Sequence, residues 1–238
     1  MIYIFYTMTE VETTHKKSVI FAFPGKDYSG DFLMMWSECL MKLSDSGYRV
    51  ALANNYSAYV PFTRMMNLGL NILRGAEQKP YDGKVEYDVW VTIDSDILFS
   101  ANQLIELIED TDKYPVISGV YRTMGTADLI SAVKDWDAAH FIKNGSYKYI
   151  GLDDLDKDTK HHEVVYSGMG FFACTRDVLE KIKHPYFNYP HEEISVNGKN
   201  VIQVFSEDVS FCKRITDAGF KIWINTDLRV GHEKKLVI

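Results

Sequence analysis

Glu86-Tyr-Asp-Val-Trp-Val-Thr-Ile-Asp-Ser-Asp96 decides the fold, because an apolar run of strand length ends in two carboxylates one residue apart. A buried strand that stops at Asp94 and Asp96 delivers hard oxygen ligands to the mouth of a sheet, where a divalent ion can bridge them to a diphosphate. The spacing alone is common in this acidic chain. Asp110 and Asp112, Asp135 and Asp137, Asp154 and Asp156, and Asp156 and Asp158 repeat it in segments that read as solvated loops or helix ends.

Upstream, Ser18-Val-Ile-Phe-Ala-Phe-Pro24 is another continuous apolar run, stopped by Pro-Gly-Lys, and reads as a strand buried on both faces. From Asp31 to Ser44, Leu33, Trp36, Leu40 and Leu43 recur at helical spacing before Gly47. Tyr48 to Ala53 is a second strand, and Pro61 to Glu77 a second helix with Phe62, Met65 or Met66, Gly69 and Leu73 along one side. Downstream of Asp96, Ser100 and Gln103 form a capping box for a third helix whose Leu104, Ile105 and Ile108 face inward, and Pro115 to Val120 is a fourth strand. Strand and helix thus alternate, as a parallel sheet covered on both faces requires.

The second half reads differently. Residues 122–162 mix aromatics with the acidic stretch Asp153 to Asp158, expected as a mobile surface loop. Val164 to Cys174 is a strand interrupted by glycines, and Thr175 to Lys183 a short helix. Asn197-Gly198 marks a hairpin turn, and Ser206 caps a last helix with Phe211, Cys212, Ile215 and Ala218 inward and Gly219 at its end. Phe220 to Ile224 and Leu228 to Val230 complete the core.

The 238 residues are 46% hydrophobic and 25% charged, ordinary for one soluble domain with a sizeable core. With 26 Lys plus Arg against 33 Asp plus Glu, the net charge of -7 argues against general nucleic-acid binding. Cys39, Cys174 and Cys212 are odd in number, widely spaced and set in apolar segments, which fits reduced core thiols and a cytoplasmic setting. Met1 to Tyr6 is apolar but far shorter than the roughly 20 residues of a transmembrane segment. Residues 1–17 read as an N-terminal extension, with Met8 an alternative start, and 18–238 as the domain itself.

Three acidic or imidazole elements follow one another in the chain: Asp94-Ser-Asp96, Ser206-Glu-Asp208 at a helix start, and Gly231-His232-Glu233 after the final strand. In this order, with the glycine-containing strand between the first two, they resemble the GT-A glycosyltransferases, particularly the family-two-like enzymes. The resemblance spans Ser18 to Glu233. It implies a single α/β domain with a Rossmann-like mixed sheet and helices on both faces, divided into a nucleotide-binding half, 18–122, and an acceptor-binding half, 123–238.

The resemblance also implies roles. Asp96 would ligate a manganese ion, or magnesium in its place, with Asp94 as helper and His232 as third ligand; taken alone, His232 reads as a surface histidine near the terminus. Such an ion neutralises the diphosphate of a nucleoside diphosphate sugar and improves it as a leaving group. Asp208 would take the proton from an acceptor hydroxyl in an inverting transfer, and Glu207 would orient that acceptor. Phe23, Pro24, Asn54, Asn55 and Arg64 would hold the nucleotide, with Asp94 at its ribose. This chain has Asn54-Asn55-Tyr56 where the family often has an Asp, which leaves the base open between UDP and GDP types. Tyr121, Arg122, Gly168, Met169 and Gly170 would line the sugar site, and Lys234 and Lys235 would close over the diphosphate. Tyr186, Phe187, Tyr189 and Trp136 offer ring faces for sugars or, singly, core packing. His161-His162-Glu163 and His191-Glu192-Glu193 lack the spacing of a helical metal pair. A retaining GT-A enzyme, a sugar nucleotidyltransferase and a non-catalytic carbohydrate-binding protein remain alternatives. The second would need a glycine-rich basic loop, of which Pro24 to Gly30 is a poor version.

Overall fold

The structure, a computed structural model, describes residues 2–5, 16–123 and 128–234. In chain order the strands are β1 (Ile2–Phe5), β2 (Ser18–Pro24), β3 (Arg49–Asn55), β4 (Val89–Ile93), β5 (Ile97–Leu98), β6 (Val116–Val120), β7 (Leu129–Val133), β8 (Tyr149–Gly151), β9 (His161–Val164), β10 (Tyr166–Ser167), β11 (Phe171–Thr175), β12 (His191–Val196), β13 (Lys199–Val204), β14 (Ile222–Arg229) and β15 (Gly231–His232). The helices are α1 (Gly30–Asp45), α2 (Val60–Asn67), α3 (Ala101–Asp110), α4 (Ala138–Asn144), α5 (Arg176–Lys181) and α6 (Glu207–Asp217).

Eight strands form the main sheet in the order β1-β3-β2-β4-β11-β6-β14-β9. β3, β2 and β4 run parallel, β11 inserts antiparallel between β4 and β6, and β14 returns parallel to β6. The continuous apolar runs are explained by burial on both faces. Ile20, Ala22 and Trp90 enter one core with Phe211, Cys212 and Ile215 of α6. Their neighbours Val19, Phe21, Val89 and Val91 enter the other with Trp36 of α1 and Leu104 of α3. Cys39, Cys174 and Cys212 are free and buried, as packing residues should be.

Several element boundaries differ from the sequence reading. The buried stripe of α1 is Phe32, Trp36, Cys39 and Leu43, while Leu33 is 61% exposed. Both stripes have helical spacing, and the contact of Phe32 with Phe23 and Phe99 selects the first. α2 ends at Asn67 rather than continuing to residue 77, because Gly69 takes a φ of +66° and stops the helix. A Cβ there would also lie 2.8 Å from the Tyr81 ring. The capping box of α3 forms as read, with both Ser100 and Gln103 bonds present.

Residues 1–17, set apart in the sequence reading, supply the edge strand β1, which pairs antiparallel with β3. Met8 lies outside the described residues. Among its described residues the segment 122–162 holds β7, α4, β8 and the first half of β9, and β10-β7-β8 make a small second sheet. Its acids are satisfied locally, with the Gly151 N–H donating to Asp154 at 3.2 Å and the Asp158 N–H to Asp156 at 3.0 Å. The glycine-containing strand is split into β10 and β11. Asn197 and Gly198, with φ of 51° and 78°, turn the β12–β13 hairpin as a type I′ loop needs. Among the described residues no helix is long and apolar enough to cross a membrane.

Candidate active site

β4 ends at Ile93, and the chain turns at once, the Ile97 N–H donating to the Asp94 carbonyl at 3.1 Å. β5 then pairs with β15 so that His232 lies opposite Ile97. This two-residue ladder, continued by the Glu233 N–H on the Asp96 carbonyl at 2.7 Å, carries a histidine 136 positions away onto the strand end. His232 Nε2 is 3.1 Å from Asp96 Oδ2. Its Nδ1 is 3.0 Å from the Arg122 carbonyl oxygen, which can only accept, so Nδ1 bears the proton.

The two carboxylates of Asp94-Ser-Asp96 diverge. Asp96 faces His232, whereas Asp94 faces Arg64 of α2, with Nη1 3.2 Å from Oδ1 and Nη2 3.3 Å from Oδ2. Arg64 is 6% exposed, and its Nε donates to Glu207 Oε1 at 3.1 Å. One buried guanidinium therefore joins the end of β4 to the start of α6, a geometry that its planar fork of donors suits. Burial raises the Asp94 carboxyl and Arg64 pulls it back, while the charges of Asp96 and Asp208 add to the rise. Burial likewise raises Glu207, again opposed by Arg64. Burial works against the guanidinium charge, but Asp94, Glu207 and Asp208 together hold it firmly protonated.

These contacts change three expected roles. Arg64 is sealed between carboxylates rather than presented to a nucleotide, Glu207 holds Arg64 instead of facing an acceptor, and Asp94 is turned away from the Asp96–His232 pair. Among the described residues no three His, Cys, Asp or Glu side chains cluster closely enough to hold an ion. Asp96 and His232 are the pair that comes together.

Asp208 keeps a half-buried carboxylate at the first turn of α6, where the helix dipole favours it. Tyr166 donates its hydroxyl to Oδ2 at 2.8 Å, the Val209 N–H reaches Oδ1 at 2.8 Å, and the Ser206 hydroxyl also donates to Oδ1. Ser206 thus stands at the cap position but serves Asp208 rather than the backbone. Tyr166 was missed by sequence reasoning, since a tyrosine in a strand carries no signal for its hydroxyl's partner. Burial, with the Asp208 charge second, pushes that phenol well above its usual range, so it stays a donor.

On the nucleotide side the structure assigns mostly internal contacts. The Phe23 ring is 6% exposed and packs on Phe32 and Trp36, leaving its carbonyl for Tyr28 and Asn54. Asn54 Nδ2 also donates to the Gly25 carbonyl at 3.0 Å, and Asn55 Nδ2 to Asn67 Oδ1 at 2.8 Å. Pro24 closes β2 at the rim. Between this rim and Asp96 opens a cavity of about 280 Å³, lined by Asp27, Tyr28, Ser29, Ser95, Asp96 and Lys234, among others. Tyr28 was not singled out by the sequence.

Around the expected sugar site the pattern is tighter than read. The Gly170 N–H donates to the Tyr121 hydroxyl at 3.0 Å, and Met169 is 1% exposed, so both side chains are structural. A Cβ on Gly168 would lie 2.2 Å from that hydroxyl and 2.3 Å from Ser131 Oγ; on Gly170 it would meet the Tyr121 ring at 2.9 Å. The glycines make room for Tyr121 rather than for a sugar. Gly168→Ala is accordingly expected to cost about 1–3 kcal/mol in urea unfolding. An unchanged midpoint would mean that Tyr121 moves freely. Arg122 holds His232 through its backbone, while its side chain lines a separate cavity of about 960 Å³ with Asp153, Asp154, Asp156, Asp158 and Arg229. Lys234 Nζ is 2.9 Å from Asp96 Oδ2 and also contacts His232 Nε2. Lys235 lies outside the described residues. Tyr186 and Phe187 are core residues, each 1% exposed, whereas Tyr189 and Trp136 are about 40% exposed.

No protein-family model and no curated protein sequence matches the chain. Solved structures do. A197 from STIV superposes with a TM-score of 0.51 at 19% identity, over 92% of this chain and 86% of that one. GalNAc-T7, solved with UDP, GalNAc and Mn2+, superposes with a TM-score of 0.50 at 14% identity, over 92% of this chain and 44% of that one. The fold is that of the GT-A glycosyltransferases. In this GT-A fold Asp94 and Asp96 follow the end of β4, and the mixed sheet around them is the one expected from the sequence.

The Asp96–His232 pair fits a divalent ion on its geometry and donor chemistry. Cis ligands of an octahedral ion with bonds of roughly 2.1–2.3 Å lie about 3.0–3.3 Å apart. The observed Oδ2 to Nε2 separation of 3.1 Å falls in that interval. With Nδ1 engaged by the Arg122 carbonyl, Nε2 is the ring atom left to an ion, and one carboxylate plus one imidazole suits manganese, or magnesium less well.

Proposed function

We propose that the chain is a metal-dependent glycosyltransferase that moves a hexosyl group from a nucleoside diphosphate sugar to an acceptor hydroxyl, with inversion. The reading rests on one observation: a long-range strand pair sets His232 against Asp96 at the end of the central strand, to which Arg64 also ties the start of α6. When bound, a manganese ion there would neutralise the diphosphate as it leaves. Asp96 and His232 would hold it. GalNAc-T7, which shares the fold, was solved with UDP and Mn2+, and that supports a UDP-type donor here.

Asp208 would accept the acceptor's proton, while Tyr166, Ser206 and Val209 fix the carboxylate's orientation. Arg64 would act at one remove, holding Asp94 and the start of α6 in register. The exposed rings of Tyr59, Phe62 and Tyr189, packed edge to face at 4.8 and 5.4 Å, offer an apolar face to the acceptor.

Calorimetry tests the donor side. Manganese and UDP are expected to bind cooperatively, the ion needing phosphate oxygens to complete its shell. Asp96→Ala should abolish the effect of manganese on UDP affinity, and His232→Ala should weaken it about 10- to 100-fold. UDP and GDP affinities that ignored manganese, in the native chain and in Asp96→Ala alike, would exclude this metal site.

A further inference from the structure

His232 Nε2 and Asp96 Oδ2 face each other at 3.1 Å. Nδ1 donates to the Arg122 carbonyl, and the Lys234 ammonium, which can only donate, contacts Nε2, so Nε2 accepts there. Two such basic atoms repel unless a cation lies between them. The Lys234 ammonium is placed to be that cation, 2.9 Å from Asp96 Oδ2 and in contact with His232 Nε2. Its position is built by the backbone. β15 is pinned opposite β5, and the Glu233 N–H is fixed to Asp96, so Lys234, two residues after His232 in extended chain, returns to the same side.

We infer that Lys234 is a resident cation of the Asp96–His232 site, which a divalent ion displaces and which the donor's diphosphate then receives. This rests on the metal-dependent reading above. Ion and ammonium compete for the same two lone pairs, so each excludes the other. The exchange is feasible because Lys234 and Asp96 side chains are each 43% exposed, which keeps their pairing weak, and because lysine carries its charge on a flexible stem. Once displaced, the ammonium sits beside a site that has gained positive charge and is repelled from it. A diphosphate bound to the ion offers it a new partner. Lys234 thereby lowers the affinity of the free protein for the ion and raises the coupling between ion and nucleotide, and by linkage that coupling is the same from either side.

The test is calorimetric titration of Mn2+, with and without saturating UDP, on the native chain, Lys234→Met, Lys234→Arg and Asp96→Ala. Without nucleotide, Lys234→Met is expected to bind Mn2+ roughly three- to fivefold more tightly than the native chain, the range an exposed ion pair supplies. With UDP the advantage should vanish or reverse, and Lys234→Arg, which keeps a cation in place, should track the native chain. Equal or weaker Mn2+ binding by Lys234→Met without UDP, while Asp96→Ala abolishes binding, overturns the inference and leaves the metal site standing. Mn2+ binding indifferent to Asp96→Ala overturns the metal site itself and the inference with it. Thermal melts of the four proteins, expected to coincide at this exposed position, separate these outcomes from misfolding.

Discussion

Asp208→Asn is expected to keep the fold and the donor site while lowering transfer by about 10²- to 10⁴-fold, the contribution of a positioned general base. The amide fits where the carboxylate was. Its oxygen can still accept from Val209 and Ser206, and its NH2 meets the Tyr166 hydroxyl, which rotates to accept instead of donate. The stability change should therefore stay within about 1 kcal/mol. What is lost is the charge and with it the basicity. Single-turnover transfer at saturating Mn2+ and donor, alongside UDP affinity, separates the two effects. Near-native turnover in a folded variant that binds UDP normally would remove Asp208 from the role of base. A product that kept the donor's anomeric configuration would move the enzyme into the retaining class and leave Asp208 as a ligand for sugar or acceptor.

Arg64→Met is expected to be the most damaging single change to stability, about 3–5 kcal/mol at neutral pH, because it strands Asp94 and Glu207 without their shared cation. Methionine fills much of the volume, so the loss is electrostatic rather than a cavity. That makes it pH-dependent with a definite sign. Burial already raises both carboxyls, and without Arg64 they rise further. A carboxyl raised in the folded state holds a proton that the unfolded chain releases near a pKa of about 4, so stability falls as pH climbs from there through the raised folded value. Urea unfolding should show a small deficit at about pH 4.5 and the full deficit at about pH 7.5. An equal deficit at both would assign Arg64 a packing role. In the native chain the same carboxyls tie α2, β4 and α6 together, so loss of Arg64 should also weaken UDP binding through the displaced end of β4.

How far each residue could be read depended on how local its cause is. The two-faced burial of β2 and β4 is written in their unbroken apolar runs, the α3 cap in Ser100 and Gln103, and the hairpin in Asn197-Gly198, since each needs only neighbours in sequence. Asp96, Asp208 and His232 were legible as an ordered set, and the chain brings Asp96 and His232 into contact. Boundaries set by distant contacts were not legible. The end of α2 depends on Gly69 meeting Tyr81, and the choice of Phe32 over Leu33 depends on Phe99.

The sequence by itself determined an α/β domain with acids at the end of its central strand, because periodicity and residue chemistry suffice for that. Tertiary structure alone decided which acid meets which partner. Asp94 and Asp96 are two residues apart and chemically identical, and they part because α2 brings Arg64 to one while β15 brings His232 and Lys234 to the other. It also decided that Glu207 meets the buried Arg64 while Asp208 takes the Tyr166 hydroxyl, adjacent residues sorted by which side of a helix faces a buried guanidinium. Charge, burial and hydrogen bonding at a site are sums over groups far apart in the chain, and no local pattern contains them.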